Sequence, residues 1–232
     1  MLNPVKTLLR NPNQWPVTRR VGRRLFSRML YASFASERRP VIDLIESVRR
    51  ERALLIRTDE AYYLVNAAAS AGKARGDYAE VGVYQGASAK LICETRPSDR
   101  VLHLFDTFEG LPKPGTQDAG FLHGEYSCSL ESVQQYLKSY RNVRFYKGLF
   151  PDTAGPVAER QFAFVNLDVD LYQSTRGALE FFYRRVSPGG IILSHDYSSQ
   201  SGVRKAFDEF FADKPETIIP LIGSQCLVVK IS

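Results

Sequence analysis

Acidic residues stand where several apolar runs of this chain come to an end. Asp106 follows Val101-Leu102-His103-Leu104-Phe105, Asp168-Val169-Asp170 follow the run from Phe162 to Leu167, and His195-Asp196 follow Ile191-Ile192-Leu193-Ser194. A carboxylate at the edge of apolar surroundings costs free energy unless a cation, a donor or water satisfies it. Neighbouring strand ends in a parallel sheet lie about 5 Å apart, so Asp168 and Asp196 can face one point. Hard oxygen donors placed in this way suit Mg²⁺, Ca²⁺ or Mn²⁺. A plainer reading has the same carboxylates capping the helices that follow, or pairing with Arg176 or Lys205. Acids closing two adjacent strands favour the shared site.

A second constellation is the turn Glu80-Val81-Gly82-Val83-Tyr84-Gln85-Gly86-Ala87-Ser88, which joins an apolar run to a helical pattern. Its spacing, E-x-G-x-x-x-G, lacks the third glycine of the dinucleotide fingerprint and the Gly-Lys-Ser/Thr ending of a P-loop. The turn therefore suits a nucleoside-like ligand with no pyrophosphate to cradle, of which S-adenosylmethionine is the commonest. Gly82 opens backbone angles that other residues avoid, and Gly86 keeps a Cβ off the floor of the pocket. The same turn also serves elsewhere as a simple connection. Asp106 lies twenty-four residues past Gly82, the right distance for an acid that accepts from both ribose hydroxyls. Its alternative role is a turn cap, since Asp106-Thr107 opens a loop.

These residues need a scaffold that brings strand ends together. Two helices are expected over 41–57 and 58–70, the second capped by Thr58 with Asp59 and Glu60 suiting its positive end. Strands follow over 77–83, 100–105, 143–147, 161–167 and 190–194, separated by helices over 86–95, 129–140, 174–186 and 202–212. Ser129 is a candidate cap for the second of these. Two closing strands over 217–221 and 225–231 are so near in sequence that they must pair antiparallel. Repeated βα units define a doubly wound α/β fold with a mostly parallel sheet and an antiparallel final strand, a Rossmann-like architecture. Such sheets bind ligands at the C-terminal ends of their strands, where the acids stand. The long Gly/Pro-bearing loop from Glu109 to Glu125 is placed to act as a lid.

With 232 residues and 44% hydrophobic content the chain has room for one α/β domain, 40–232, preceded by an arm, 1–39. Nine basic residues in the arm (Lys6, Arg10, Arg19, Arg20, Arg23, Arg24, Arg28, Arg38, Arg39) against Glu37 give it +8, which leaves −2 of the total +6 for the domain. Residues 18–34 read as an amphipathic helix, with Val21, Leu25 and Met29 on one face. Packing on the domain or on a second subunit, contact with a membrane surface or anionic substrate, and a transit peptide are all compatible with it. Nucleic acid is excluded as a partner, because the basic surface does not continue into the domain. Cys93, Cys128 and Cys226 are dispersed and fit free thiols in a reducing compartment. No segment is long and apolar enough to span a membrane. The expectation is a cytoplasmic protein, membrane-associated if the arm binds lipid, and a homo-oligomer.

Four segments together resemble the macrocin O-methyltransferase family of S-adenosylmethionine-dependent enzymes, which methylate sugar hydroxyls: AEVGVYQGAS (79–88), LHLFDTFEGLP (102–112), VNLDVDLYQST (165–175) and PGGIILSHDY (188–197). The resemblance runs from about residue 58 to the C-terminus. It implies cofactor contacts at Glu80, Gly82, Tyr84, Gly86, Ser88 and Asp106, extending to Thr107, Phe108 and Asp168. It also implies a divalent metal, Mg²⁺ or Mn²⁺, on Asp168 and Asp196, a general base at Asp170, and a small-molecule or glycan substrate. Members of the family often carry two acids where this chain has His195-Asp196. His195 is then a residue behind the metal, a ligand favouring Mn²⁺, or itself the base. Tyr84 and Phe108 either surround a sulfonium or belong to the core. The glycine turn is also similar to that of catechol O-methyltransferase, which keeps a phenolic acceptor open. A nicotinamide oxidoreductase and a non-catalytic membrane-surface protein are the rivals from other classes.

Overall fold

The computed structural model describes residues 38–232; the expected arm helix over 18–34 lies outside them. Helix α1 (Arg39–Glu51) and helix α2 (Thr58–Ala71) lead into β1 (Asp77–Val81), α3 (Ala87–Thr95), β2 (Leu102–Asp106), α4 (Leu130–Leu137) and β3 (Val143–Lys147). A 3-10 turn over Asp152–Val157 precedes β4 (Phe162–Leu167), α5 (Tyr172–Phe182), β5 (Val186–Ser194), α6 (Ser201–Phe211), β6 (Ile219–Pro220) and β7 (Cys226–Val229). The strands form one sheet in the order β3-β2-β1-β4-β5-β7-β6. Strands β1 to β5 are mutually parallel, and β7 runs antiparallel to both β5 and β6. The strand order reverses at β1, between β2 and β4, which opens the crevice where α/β sheets take ligands.

Alternation along the strands explains the two layers. Tyr78, Leu102, Leu104, Ala163, Phe164, Ile191 and Leu193 join a core under α2, α3 and α4. Ala79, Val81, Phe105, Val165, Leu167 and Ile192 face the other way, into an aromatic-rich core with Phe182, Phe207 and Phe211 from α5 and α6. Successive strand side chains point to opposite faces, so a strand buried on both must be apolar throughout, and β4 is buried at all six positions.

The register matters most for the site. Val81 pairs with both Phe105 and Leu167, and Leu167 pairs with Ser194. The ends of β1, β2, β4 and β5 are therefore level, and the residues just beyond them, Gly82, Asp106, Asp168 and His195, form one row.

Several boundaries differ from expectation for local reasons. Helix α1 ends at Glu51, because the Arg49 guanidinium donates to the Ile56 carbonyl and the Thr58 hydroxyl and so holds residues 52–57 as an extended connector. Thr58 is not the cap of α2; Arg57 occupies that position and its N–H donates to Glu60 Oε2 at 2.7 Å. Ser129 does cap α4, accepting from the Ser132 N–H. Among the described residues no helix is long and apolar enough to cross a membrane.

Candidate active site

The residue row at the strand ends converges as the register requires. Donor atoms of Asp168, His195 and Asp196 all lie within 4.8 Å of one another. His195 Nδ1 is 2.9 Å from Asp196 Oδ2 and 3.2 Å from Asp168 Oδ1, while its Nε2 faces Glu60 Oε2 at 3.5 Å. The pairing of these acids with Arg176 or Lys205 does not occur, since those side chains pair with Glu180 and Glu209 on their own helices. Asp170, two residues on from Asp168, feels the charges of Asp168 and Asp196. Burial, with the charges of Asp168 and Asp196, pushes its carboxyl well above the usual range. For His195 burial opposes the charged form, but the same two acids outweigh it and raise the imidazole well above its ordinary value. Burial likewise opposes ionisation of Asp196, and His195 and Ser199 hold it low.

Both Asp170 and Asp196 have positive φ, +60° and +63°. Tyr84 (+48°), Phe108 (+56°) and Tyr126 (+62°) share that conformation at the same rim. Left-handed backbone at non-glycine residues is uncommon and costs free energy, and it gathers at functional sites.

The glycine turn is tighter than a ligand cradle alone would need. Gly82 has φ +88°, and a Cβ there would sit 1.8 Å from the Asp168 carbonyl oxygen. Only glycine lets β1 and β4 keep their pairing past the strand ends. Gly86, at φ +80°, was expected to clear the pocket floor; instead its missing Cβ makes room for Val133 of α4, 2.9 Å away. Asp106 is chiefly a clasp. Its Oδ2 accepts from the N–H groups of Val83 (2.6 Å) and Tyr84 (3.0 Å), and its Oδ1 from the Phe108 N–H (2.7 Å). The Thr107 hydroxyl instead donates to the Gly110 carbonyl. With about four lone-pair sites on a carboxylate, Asp106 cannot serve two ribose hydroxyls without releasing a backbone N–H. The turn-cap contacts are thus present in the structure.

Glu80 is fully buried on β1. Asn166 donates to its Oε1 at 2.9 Å, and its Oε2 has no hydrogen-bond partner among the described residues. Burial, opposed by Ser88 and Asn166, moves its carboxyl up to about 8. An orphaned buried oxygen beside an open crevice is a place for a cationic or hydrogen-bond-donating ligand group.

The 109–125 loop is fastened at both ends. Leu111 and Glu125 pair through the Leu111 N–H, and Gly124 returns a bond to the Leu111 carbonyl. In the middle, the buried Asp118 accepts from the N–H of Tyr172, at the start of α5, and from Gly115. The loop leads to Tyr126, whose ring meets Tyr84 edge-on at 5.9 Å. Burial pushes the Tyr126 hydroxyl up to about 12, with Asp170, Glu125, Asp196 and Asp168 adding to the shift. Tyr84 is partly exposed at the crevice, whereas Phe108 is buried in the core. Glu60, Ser224, Asn166 and Tyr126 were not singled out as site residues from the sequence. Glu60 carried a signal, an acid in the first turn of a helix, but the helix-dipole explanation absorbed it.

The macrocin-O-methyltransferase (TylF) family profile matches residues 60–222, and the chain belongs to that family. It is 32% identical over 168 residues to the 8-demethyl-8-(2,3-dimethoxy-alpha-L-rhamnosyl)-tetracenomycin-C 4'-O-methyltransferase of Streptomyces olivaceus, covering 66% of this chain and 64% of that one. It is 31% identical over 153 residues to the demethyldecarbamoylnovobiocin O-methyltransferase of Streptomyces niveus, over 59% and 58% of the two chains. The chain thus spans just under two thirds of these relatives' own length. Among solved structures, the O-methyltransferase NovP superposes with a TM-score of 0.61 at 26% identity, over 73% of this chain and 79% of that one. The calicheamicin methyltransferase CalS11 has the same TM-score at 16% identity, over 84% and 93%, and shares the fold.

Proposed function

We propose that the protein transfers a methyl group from S-adenosylmethionine to a hydroxyl of a sugar or glycosylated small molecule, with a divalent cation held at the strand-end row. The level row itself carries this reading: a glycine turn, an orphaned buried carboxylate oxygen and convergent acids share one crevice. By their names, one relative acts on a rhamnosyl-tetracenomycin and another on demethyldecarbamoylnovobiocin; the first supports a glycosylated acceptor here.

The residues fit both groups. Glu80 Oε2 lacks a partner and can receive a donor from the methionine end, Tyr84 and Ser88 flank the turn, and Asp106 retains one accepting direction for ribose. Thr107 and Phe108 hold the loop that forms the nucleoside wall. Asp168, Asp196 and His195 Nδ1 offer two oxygens and one nitrogen at chelating separation. Four acids surround a single imidazole there, and the excess negative charge suits a cation.

Methyl transfer from a sulfonium is an in-line displacement at carbon; the donor is already activated, so the protein supplies alignment and a deprotonated nucleophile. When bound, a divalent cation would stabilise the alkoxide that develops on the acceptor. Asp170 removes the hydroxyl proton. Its raised proton affinity makes it a stronger base than an ordinary carboxylate, and its left-handed backbone aims it back toward the row. Tyr84 and Tyr126 form the aromatic wall, and the 109–125 loop excludes water. Isothermal titration with S-adenosylmethionine and S-adenosylhomocysteine, followed by methyl transfer to a panel of deoxysugar glycosides and catechols, tests the reading. Binding with transfer to glycosides is expected. Absence of cofactor binding, or transfer confined to catechols, overturns it.

A further inference from the structure

Glu60 lies on α2, outside the strand-end row, and yet three donors hold it beside that row. Its Oε1 accepts from both the N–H and the hydroxyl of Ser224, each at 2.9 Å, and its Oε2 from the Arg57 N–H at 2.7 Å. The β6–β7 turn is shaped around it: Gly223 has φ +100°, and a Cβ there would come within 2.6 Å of Glu60 Oε1. Capping α2 explains the Arg57 contact. It does not explain why a distant hairpin adds two further donors, nor why Oε2 also looks at His195 Nε2. Three donors leave the carboxylate one orientation, and that orientation confronts the imidazole.

A histidine has two distinct nitrogens, and the hydrogen bond made by one decides what the other can do. Glu60 is an acceptor only and faces Nε2 at 3.5 Å. Nδ1 likewise meets an acceptor, Asp196 Oδ2 at 2.9 Å, so a cation bound at Nδ1 takes the place of its proton while Glu60 stays behind Nε2. The remaining nitrogen, Nδ1, is the one aimed between Asp168 and Asp196. This is the arrangement in which metal-binding histidines are oriented by a carboxylate behind them. Imidazole nitrogen suits borderline transition metals, whereas all-oxygen sets suit Mg²⁺.

We infer that Glu60 is a positioning residue that fixes the His195 ring from behind Nε2, which makes Nδ1 the third donor beside Asp168 and Asp196 and turns the site from Mg²⁺ toward a cation such as Mn²⁺. The inference rests on the proposed metal-assisted reading and assigns that reading its metal preference. It also gives the non-acidic residue at position 195 a reason.

The test titrates the full chain with Mn²⁺, following the free-ion electron paramagnetic resonance signal, with Mg²⁺ as competitor and S-adenosylhomocysteine affinity measured in parallel. Wild type is expected to retain Mn²⁺ against excess Mg²⁺. Glu60→Gln is expected to lose about 10- to 100-fold in Mn²⁺ affinity while binding S-adenosylhomocysteine as wild type does. His195→Asp is expected to narrow the preference between the two ions. Nitrogen-15 spectra of the Zn²⁺-loaded wild type, tractable with three histidines in the chain, should show His195 protonated at Nε2; this measurement needs no variant to fold. Mn²⁺ binding unaltered in Glu60→Gln, or a proton on Nδ1 of the loaded protein, overturns the role of Glu60. Wild type that ignores Mn²⁺ but binds S-adenosylhomocysteine overturns the metal assignment and leaves the methyl-donor site standing. Loss of S-adenosylhomocysteine binding alone defeats the functional reading, and the metal titration still decides the inference.

Discussion

Two histidines in this fold sit beside buried acids, and they are in opposite situations. His103, on β2, donates or accepts between Tyr146 Oη at 2.9 Å and Asp77 Oδ2 at 3.2 Å, and its ring stacks on Tyr146. Asp77 also has Arg160 at 3.8 Å. One acid thus meets one imidazole and one guanidinium, and the cluster closes on itself. His195 instead meets Glu60, Asp168 and Asp196, and the charges of the last two also act on the buried Asp170. The backbone differs in the same sense, because five of the six described left-handed non-glycine residues, Tyr84, Phe108, Tyr126, Asp170 and Asp196, belong to the second region, and the sixth, Asn142, precedes β3. A saturated polar cluster holds strands together. A cluster with surplus charge and strained backbone is maintained for something it binds.

The sharpest way to break this comparison is to remove one member of each cluster. Asp170→Asn should lower turnover by about 10²- to 10⁴-fold, the usual contribution of a positioned base, while S-adenosylhomocysteine affinity in calorimetry stays near wild type. Lost cofactor binding with the remaining turnover intact would show that Asp170 holds the ligand and is no base. His103→Ala should leave cofactor affinity alone and cost about 2–4 kcal/mol of stability through lost packing and hydrogen bonds. Its penalty should also depend on acidity. Burial opposes the charge of Asp77, but His103 and the Val101 N–H hold its carboxyl below the usual range. A depressed folded value contributes stability above the unfolded value, and that contribution disappears as pH falls through the folded one. The melting-temperature gap between wild type and His103→Ala should therefore be wider above pH 3.8 than below it, shrinking as acid neutralises Asp77. A gap that is constant with pH would mean the pair contributes packing only.

Surplus charge makes a second prediction, of smaller size. A ligand at about a hundredfold its dissociation constant stabilises by about 2.7 kcal/mol. Mn²⁺ should raise the melting temperature of wild type by several degrees and do nothing for Asp168→Asn. Chelator should lower activity, and added Mn²⁺ should restore it. Full activity in chelator would make His195 and Asp170 a metal-free proton-transfer pair.

What was legible in the sequence follows from what is local. Hydrophobic alternation and turn residues placed every strand of the sheet, because a strand buried on both faces has few other sequences open to it. The acids at 106, 168, 170 and 196 were legible for a similar reason: the register of a parallel sheet brings consecutive strand ends level without further information. Their partners were not. Glu60 reaches His195 through α2, and Ser224 reaches Glu60 through a hairpin far along the chain; nothing periodic announces either contact. Asp106 carries contacts of the same hidden kind. Its distance from Gly82 stands in the sequence, but distance cannot reveal that the N–H groups of Val83, Tyr84 and Phe108 claim much of its accepting capacity.

Asp118 sharpens the comparison from a third side, with the smallest effect. It is a buried acid near the rim, like those of the site, but it faces no imidazole and no other carboxylate. Backbone N–H groups of Tyr172 and Gly115 satisfy it, so it is closed in the manner of the Asp77 cluster although it belongs to the loop above the site. Gly202 of α6 allows this approach, since a Cβ there would lie 2.3 Å from Asp118 Oδ1. Asp118→Ala removes a cap from the first turn of α5 and the tether of the 109–125 loop together. The stability cost should be about 1–2 kcal/mol, the range of a lost helix cap. If the loop covers the acceptor, the acceptor KM should rise several-fold, with S-adenosylhomocysteine affinity and metal binding unchanged. An unchanged KM beside the same loss of stability would place Asp118 wholly among the structural acids and remove the loop from the catalytic region.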